Sequence, residues 1–185
     1  PNSGISDSAQ EQCANPKLCR QAKKTSLKSW EDDIDLFVSL CYKHGVRMIL
    51  VGGGAVNFHG YQRHSADVDF WISTDPENLK MLVKVFQEME LEFTAFPEKV
   101  KNQEQNISVK FSPVGLDLEL ITKFEIGKTF DQAYEDSIVV EIKQKPIRRW
   151  RVLNIDDLIT SKKRAARPKD LLDIIELKKL KSSSI

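Results

Sequence analysis

Residues Met48–Ser73 read MILVGGGAVNFHGYQRHSADVDFWIS, and this stretch is the best guide to the fold. A short apolar run ends at three glycines, Gly52–Gly54, and a second apolar run opens with Asp67 and Asp69. Glycines at a strand end let backbone N–H groups approach an anion, and a helix N-terminus behind them adds a favourable dipole. Two carboxylates two residues apart in a strand point to the same face, roughly 7 Å apart at the backbone. The stretch therefore predicts a phosphate-binding turn beside a pair of metal-binding carboxylates.

Each half of this pattern by itself is common in turns and solvated strand ends that have no function. Their order and spacing favour a functional interpretation, because a purely structural segment has little reason to place acids where a buried strand starts. Val68, Phe70 and Ile72 alternate as an apolar face, which leaves Asp67 and Asp69 on the other face. A glycine turn followed by paired carboxylates suits metal-dependent nucleotide chemistry.

These residues resemble the nucleotidyltransferases of the DNA polymerase β superfamily, most closely their bacterial abortive-infection (AbiEii-like) type. The shared order is a strand, Gly-Gly, a short helix, a loop with Arg and Ser or Thr, and Asp-x-Asp on the next strand. The resemblance implies an α/β (α+β) nucleotidyltransferase fold, with a small mixed β-sheet flanked by helices and a C-terminal helical part. The matching segments are spread over Met48–Leu177, a range that makes up most of the chain. They are Val51–Ala55, His59–Tyr61, Arg63–Phe70, Asp117–Thr122 and Leu153–Leu177.

The third carboxylate of the resemblance has two candidates, Glu119 and Asp117. Glu119 aligns better, because Leu120-Ile121-Thr122 follows it, although the family position usually holds Asp. Both lie on one face of a strand whose Leu116, Leu118 and Leu120 are expected to face the core.

The resemblance also implies roles for the matching residues. Asp67 and Asp69 would bind Mg²⁺ or Mn²⁺, and Glu119 or Asp117 would complete the metal site. An NTP would be the substrate, and one NMP would pass to an acceptor hydroxyl with release of pyrophosphate. The expected nucleotide-binding residues are Gly52, Gly53, Arg63, Ser65, Lys162 and Arg167.

The acceptor is left open between RNA (a tRNA end, for example), a protein hydroxyl and a small molecule, and a toxin or abortive-infection role is one reading. The rival class is a non-catalytic nucleotide- or nucleic-acid-binding protein on the same fold, such as a partner in a toxin–antitoxin pair. A pure nucleic-acid-binding module would need its basic residues to form a continuous stripe away from the acids.

Composition is that of an ordinary globular protein. The chain has 185 residues, of which 41% are hydrophobic and 30% charged, and its net charge is +1. No apolar run approaches the roughly 20 residues of a membrane span, and no apolar segment at the start predicts a secretory signal. Cys13, Cys19 and Cys41 form neither a disulfide framework nor a zinc pattern, so we expect a reduced, cytoplasmic setting, and the resemblance implies a bacterial protein.

The chain divides into three parts. We predict a loose N-terminal arm over 1–28, a nucleotidyltransferase catalytic core over 29–125, and a basic C-terminal part with helices over 126–185. Two basic clusters lie in the last part: Lys143, Lys145, Arg148, Arg149 and Arg151, then Lys162, Lys163, Arg164, Arg167 and Lys169. Such charge can face phosphate, or it can be a solvated surface.

Local signals predict the elements. Ser29 is expected to cap a helix over Trp30–His44, and Pro76 to begin one that ends near Met89. Further helices are expected over Ala55–His59, after Asn154, and from Pro168 to about Lys181. Strands are expected over Arg47–Val51, Val68–Ser73, Ile107–Phe111 and Leu116–Ile121, with edge strands over Val139–Ile142 and Ile147–Leu153; Phe93–Gln105 is ambiguous.

Overall fold

A computed structural model describes residues 30–65, 67–110 and 117–183. In this part of the chain, the helices are α1 (Trp30–Lys43), α2 (Gly52–Phe58), α3 (Pro76–Glu88), α4 (Glu98–Lys101), α5 (Phe130–Asp136), α6 (Ile155–Ala165) and α7 (Pro168–Ser183). The strands are β1 (Met48–Leu50), β2 (Asp67–Ile72), β3 (Ile107–Val109), β4 (Asp117–Ile121), β5 (Ile138–Ile142) and β6 (Arg148–Val152).

The strands form one mixed sheet in the order β3-β4-β2-β1-β6-β5. The pairs β2–β4 and β1–β6 are parallel, and the other three pairs are antiparallel. Helices flank this sheet, so the predicted fold class, a small mixed sheet flanked by helices with a C-terminal helical part, is confirmed. The C-terminal part also supplies β5 and β6 to the same sheet.

Two apolar cores lie on opposite faces of the sheet. On one face, Phe70 and Ile72 of β2 pack with Leu118 and Leu120 of β4 and with apolar residues of α1 and α3, such as Phe37. This confirms the predicted alternation along β2. On the other face, a second core includes Ile49, Val51, Trp71, Leu158 and Leu177, which come from β1, β2, α6 and α7. The carboxylates of β2 share this second face with Trp71.

Most predicted elements are present with shifted ends, and three differ in kind. The helix expected at Ala55 begins at Gly52, so the glycines form its first turn instead of a turn before it. β6 is not an edge strand, because it pairs with both β1 and β5. α5 was not predicted, although Thr129 and Gln132 form a capping box whose spacing is readable in the sequence.

Several predictions fall on residues outside the described ranges. They are the N-terminal arm over 1–28, the cap at Ser29, the end of the third strand at Phe111 and the core position of Leu116. Cys41 is fully buried in the first core.

Candidate active site

Strand register brings the acidic residues together. β2 and β4 are parallel neighbours, and Asp67 lies opposite Asp117 while Asp69 lies opposite Glu119. Adjacent strands lie about 4.8 Å apart, so these four side chains share a small patch of one sheet face. Asp67, Asp69 and Glu119 line a cleft of about 330 Å³. Asp117 is not among the residues lining this cleft, and its Oδ2 lies 3.4 Å from Lys110 Nζ.

Asp69 and Glu119 are in hydrogen-bond contact, and the pKa of each is raised. Burial is the largest cause for Asp69, and the charge of Asp67 adds to it. Burial also raises the pKa of Glu119, followed by the charge of Asp69 and the hydrogen bond between the two.

The glycine turn lies directly against these acids. The backbone N–H of Gly53 donates to the carboxylate of Asp69. Gly52 has φ +60°, and a Cβ added to it would lie 2.0 Å from Asp69 Oδ2. A Cβ at Gly53 would meet Ser65 Oγ at 2.3 Å, and that hydroxyl donates to the backbone carbonyl of Asp67. Only glycine lets the backbone approach so closely.

A buried ionic network forms the wall opposite the acids. Lys162 on α6 is 3% exposed, and its Nζ lies 2.9 Å from Asp173 Oδ2 and 3.2 Å from Asp170 Oδ1. Arg63 donates two parallel hydrogen bonds to Asp173, at 2.8 and 3.0 Å. Arg167 Nε donates to Asp170 at 2.7 Å. The two buried aspartates of α7 therefore fix three cations that line the cleft.

Asp170 is strongly held in its charged form. Burial by itself would raise its pKa, but the hydrogen bonds from Arg167 and the charge of Lys162 outweigh that and lower the pKa to about 2. Removing one partner of such a buried pair leaves an uncompensated charge and is strongly destabilising. The network is therefore structural as well as cationic.

The sequence indicated the cations of this wall, but no site role was predicted for their counter-ions, Asp170 and Asp173. Their signal was available, because Asp170, Asp173, Ile174 and Leu177 recur at helical spacing and all are buried. An acid inside a buried helical stripe needs a cationic partner. His64 and Lys169 also line the cleft.

The first basic cluster lies elsewhere and is largely paired with neighbours in the fold. Arg148 contacts Asp35, Arg149 Nε lies 3.8 Å from Glu141 Oε2, and Arg151 donates to the carbonyl of Tyr134. This cluster is part of the fold's own contacts and does not face the acids.

The charges that line the cleft determine whether an anionic ligand is attracted to it. Arg63, Lys162, Arg167 and Lys169 are the cationic side chains that line it. Against them stand the three lining carboxylates and the buried pair Asp170 and Asp173. Since acids outnumber cations, a bare triphosphate would meet no net positive charge.

Carboxylate oxygens are the donors that Mg²⁺ and Mn²⁺ prefer, so the donor type at Asp67, Asp69 and Glu119 fits such an ion. Crowded acids raise each other's pKa because their negative charges repel, and a bound cation would relieve that repulsion. Across residues 30–65, 67–110 and 117–183, however, no group of three or more His, Cys, Asp or Glu side chains is arranged as a metal centre.

Within the described part of the chain, every helix is too short or too polar to cross a membrane. Comparison with curated proteins gave no match. A family model described as a nucleotidyltransferase of unknown function, DUF6036, matches residues 27–184, which is most of the chain. The chain therefore belongs to this DUF6036 nucleotidyltransferase family.

Proposed function

We propose that the protein transfers an NMP from an NTP to an acceptor hydroxyl and releases pyrophosphate, in a reaction that depends on Mg²⁺ or Mn²⁺. The observation that carries the proposal is the meeting of Asp67, Asp69 and Glu119 in one cleft, beside a glycine turn and a cationic wall. The family match supports nucleotidyl transfer in general.

Each part of the cleft has a proposed task. Asp67, Asp69 and Glu119 would hold the metal ions, which neutralise the charge on the attacking and leaving oxygens. Glu119 or Asp117 would also accept the proton of the acceptor hydroxyl, and its raised pKa suits Glu119 better to that task. The excess of acids over cations is the reason that an NTP needs the metal in order to bind.

The cationic wall would hold the phosphates in place. Arg63 and Lys162 are already fixed by Asp173, so they lose little side-chain entropy when a phosphate binds. Arg167, whose side chain is about half-exposed, can turn its outer N–H groups toward an anion. Gly52, Gly53 and Ser65 would contact the triphosphate next to Arg63, since a Cβ on Gly53 would lie 3.2 Å from Arg63 Nη1.

The finer assignment is also a proposal. We place the protein near the AbiEii-like type of the DNA polymerase β superfamily, with RNA, a protein or a small molecule as acceptor and a toxin-related role. A cytoplasmic location follows from that proposal.

A second candidate function is a non-catalytic binding protein on the same fold. The glutamate at position 119, where the family that the sequence resembles usually holds Asp, favours it.

Titration of the protein with each NTP decides between metal-bridged and direct binding. We expect ATP, CTP, GTP or UTP to bind in Mg²⁺ or Mn²⁺ and to lose at least tenfold in affinity in EDTA. The double variant Asp67→Asn, Asp69→Asn should bind nothing in either buffer, while Asp156→Asn, an exposed acid paired with Lys181, should bind as wild type. Equal affinity with and without EDTA would contradict metal bridging.

Label transfer then tests catalysis. Incubation with each α-labelled NTP and a total RNA and protein extract should give a labelled product in wild type and none in the double variant. Metal-dependent binding without any label transfer would replace the enzyme with the binding protein.

A further inference from the structure

A second and larger cleft lies at the other end of the same two strands. It has a volume of about 450 Å³ and is formed where β2 and β4 end, by residues 71–75 and 122–131 with Gln103 and Arg164. The carboxyl ends of neighbouring parallel strands are a common place for ligands in open α/β sheets. None of its lining residues belongs to the carboxylate cleft.

Three aromatic side chains form the inner wall of this second cleft. Trp71 is 4% exposed, and its ring lies 5.4 Å from that of Phe124 and 5.2 Å from that of Phe130, centroid to centroid. Phe124 and Phe130 are half-buried. Trp71 packs against both rings. Phe130 is also stacked on Tyr134, 5.6 Å between centroids, and has Arg47 over its ring, so Phe124 is the ring that can offer a face to the cleft. Such a wall suits a flat ring as its ligand.

The charges at the rim of the cleft largely cancel. Lys123 Nζ lies 3.0 Å from Glu125 Oε1, and Lys128 contacts Asp136 and Asp157 at 2.8 Å. Asp131 is paired with Arg47. Arg164 has no ion pair with any residue in the described ranges. Lys123 is the main cause of the lowered pKa of Glu125, and the charge of Arg164 adds to it. A rim with so little net charge does not suit a triphosphate.

Polar groups without charge complete the lining. Thr74 and Gln103 reach the cleft, and Gln103 Nε2 donates to Thr74 Oγ1 at 2.9 Å. Thr129 also lines it, and its hydroxyl accepts from the N–H of Gln132, whereas Thr122 is 2% exposed and donates to the carbonyl of Gln105. Hydroxyl and amide groups of this kind hydrogen-bond to the edge of a base or to a sugar hydroxyl.

We propose that this cleft is a second binding site, for the nucleoside part of a ligand, with the base stacked on Phe124 and flanked by Phe130. The aromatic wall recognises the flat ring, and the hydroxyls, Gln103 and Arg164 recognise its polar edge and sugar. Trp71 and Asp69 lie on one face of β2, two residues or about 7 Å apart. A nucleoside bound here would therefore lie beside the carboxylate cleft. The site needs neither metal nor triphosphate, so it stands apart from nucleotidyl transfer.

Binding of uncharged nucleosides in EDTA tests the proposal. Adenosine, guanosine, cytidine and uridine are titrated separately, with tryptophan fluorescence and calorimetry as readouts. We expect at least one to bind and to change the fluorescence of Trp71, a change that Trp71→Phe removes. Stacking of a base on an aromatic ring contributes about 1–3 kcal/mol, so Phe124→Ala should weaken binding by about 5- to 150-fold.

Two further variants serve as matched controls for this test. Phe124→Leu retains the apolar volume behind the wall but removes the ring, so it should lose affinity without loss of fold even if Phe124→Ala unfolds. Asp69→Asn, in the other cleft, should bind the nucleoside as wild type does. The proposal is overturned if no nucleoside binds, if indole binds as well as the best nucleoside, if both Phe124 variants keep full affinity, or if Asp69→Asn abolishes binding. None of these outcomes depends on whether the protein transfers a nucleotide.

Discussion

At the residue scale, the environments of the two candidate third carboxylates differ. Glu119 lines the cleft and contacts Asp69, whereas Asp117 lies at its margin beside Lys110. The sequence left both open because they lie on one face of one strand. The pairing of β4 with β2 sets their heights relative to Asp67 and Asp69.

We predict that Glu119→Gln abolishes metal-dependent NTP binding and lowers transfer by orders of magnitude, because it removes the charge of a proposed metal ligand. Asp117→Asn removes the charge of a residue two positions earlier on the same strand, and it should lower transfer less than tenfold. Calorimetry with Mg²⁺ and the label-transfer assay measure the two effects. Loss of activity in Asp117→Asn with a near-normal Glu119→Gln would mean that Asp117 is the ligand.

A second residue-scale prediction concerns acid stability and Asp170. Its folded pKa of about 2 lies below the ordinary value of 3.8, so the unfolded chain binds more protons between these values. The stabilisation from Asp170 is complete above about pH 4 and is lost as the pH falls to about 2. This difference between the folded and unfolded pKa of Asp170 corresponds to about 2 kcal/mol in the free energy of unfolding.

Urea unfolding between pH 2 and pH 4 measures this effect. Asp170→Asn should be less stable than wild type at pH 5, because Lys162 and Arg167 lose a partner. The gap between the two proteins should narrow by about 2 kcal/mol toward pH 2. A gap that stays constant over this range would show that Asp170 is not held ionised.

At the element scale, the start of α2 and its contact with β2 are one unit. Gly52 opens the helix in a left-handed conformation, and its backbone lies directly against Asp69. The sequence indicated a glycine turn and a short helix in this order. It could not show that the glycines form the first turn of the helix. Side chains at these positions are excluded by the contact with β2, which is a tertiary contact.

We predict that Gly52→Ala lowers the free energy of unfolding by more than backbone strain alone would. Gly45 has a similar φ of +69° but no atom within 4 Å of an added Cβ, so Gly45→Ala should lose only about 1 kcal/mol of stability. Gly52→Ala adds a clash with the carboxylate of Asp69 and should lose about 2–4 kcal/mol, together with metal-dependent NTP binding. Urea unfolding and calorimetry of both variants separate the two effects, and equal losses would contradict the close packing.

At the scale of the whole molecule, the candidate site costs stability when no cation is present. Asp69 and Glu119 have raised pKa values because burial and like charges disfavour their ionised forms. The folded protein therefore binds more protons than the unfolded chain, and its stability falls as the pH rises through the interval between the unfolded and folded pKa values.

We predict that Asp67→Asn with Asp69→Asn melts at the same temperature as wild type or a few degrees higher in EDTA at pH 8, because repulsion is relieved. Adding Mg²⁺ should raise the melting temperature of wild type and leave the double variant unchanged. Thermal melts in the two buffers test both statements. A cooperative melt several degrees below wild type in EDTA would mean that these acids are structural.

The sequence by itself determined the local features of this protein. Alternation along β2 placed Phe70 and Ile72 on one face and Asp67 and Asp69 on the other, because the side-chain period of a strand is two. The start of α3 at Pro76 was also readable, since its signal lies within one turn. The capping box of Thr129 and Gln132 shows that α5 was equally local, although it was not predicted.

Tertiary structure alone decided which distant residues meet. Arg63 and Asp173 are 110 positions apart in the chain, and no local pattern specifies that α7 packs beside the loop after α2. The contact of Asp69 with Glu119 likewise needs β4 to pair with β2 in one register, and a shift by one residue would turn both acids of β4 to the opposite face. Pairing and packing depend on the sum of many burial energies across the sheet, so the sequence supplied the groups of the site and the fold supplied their geometry.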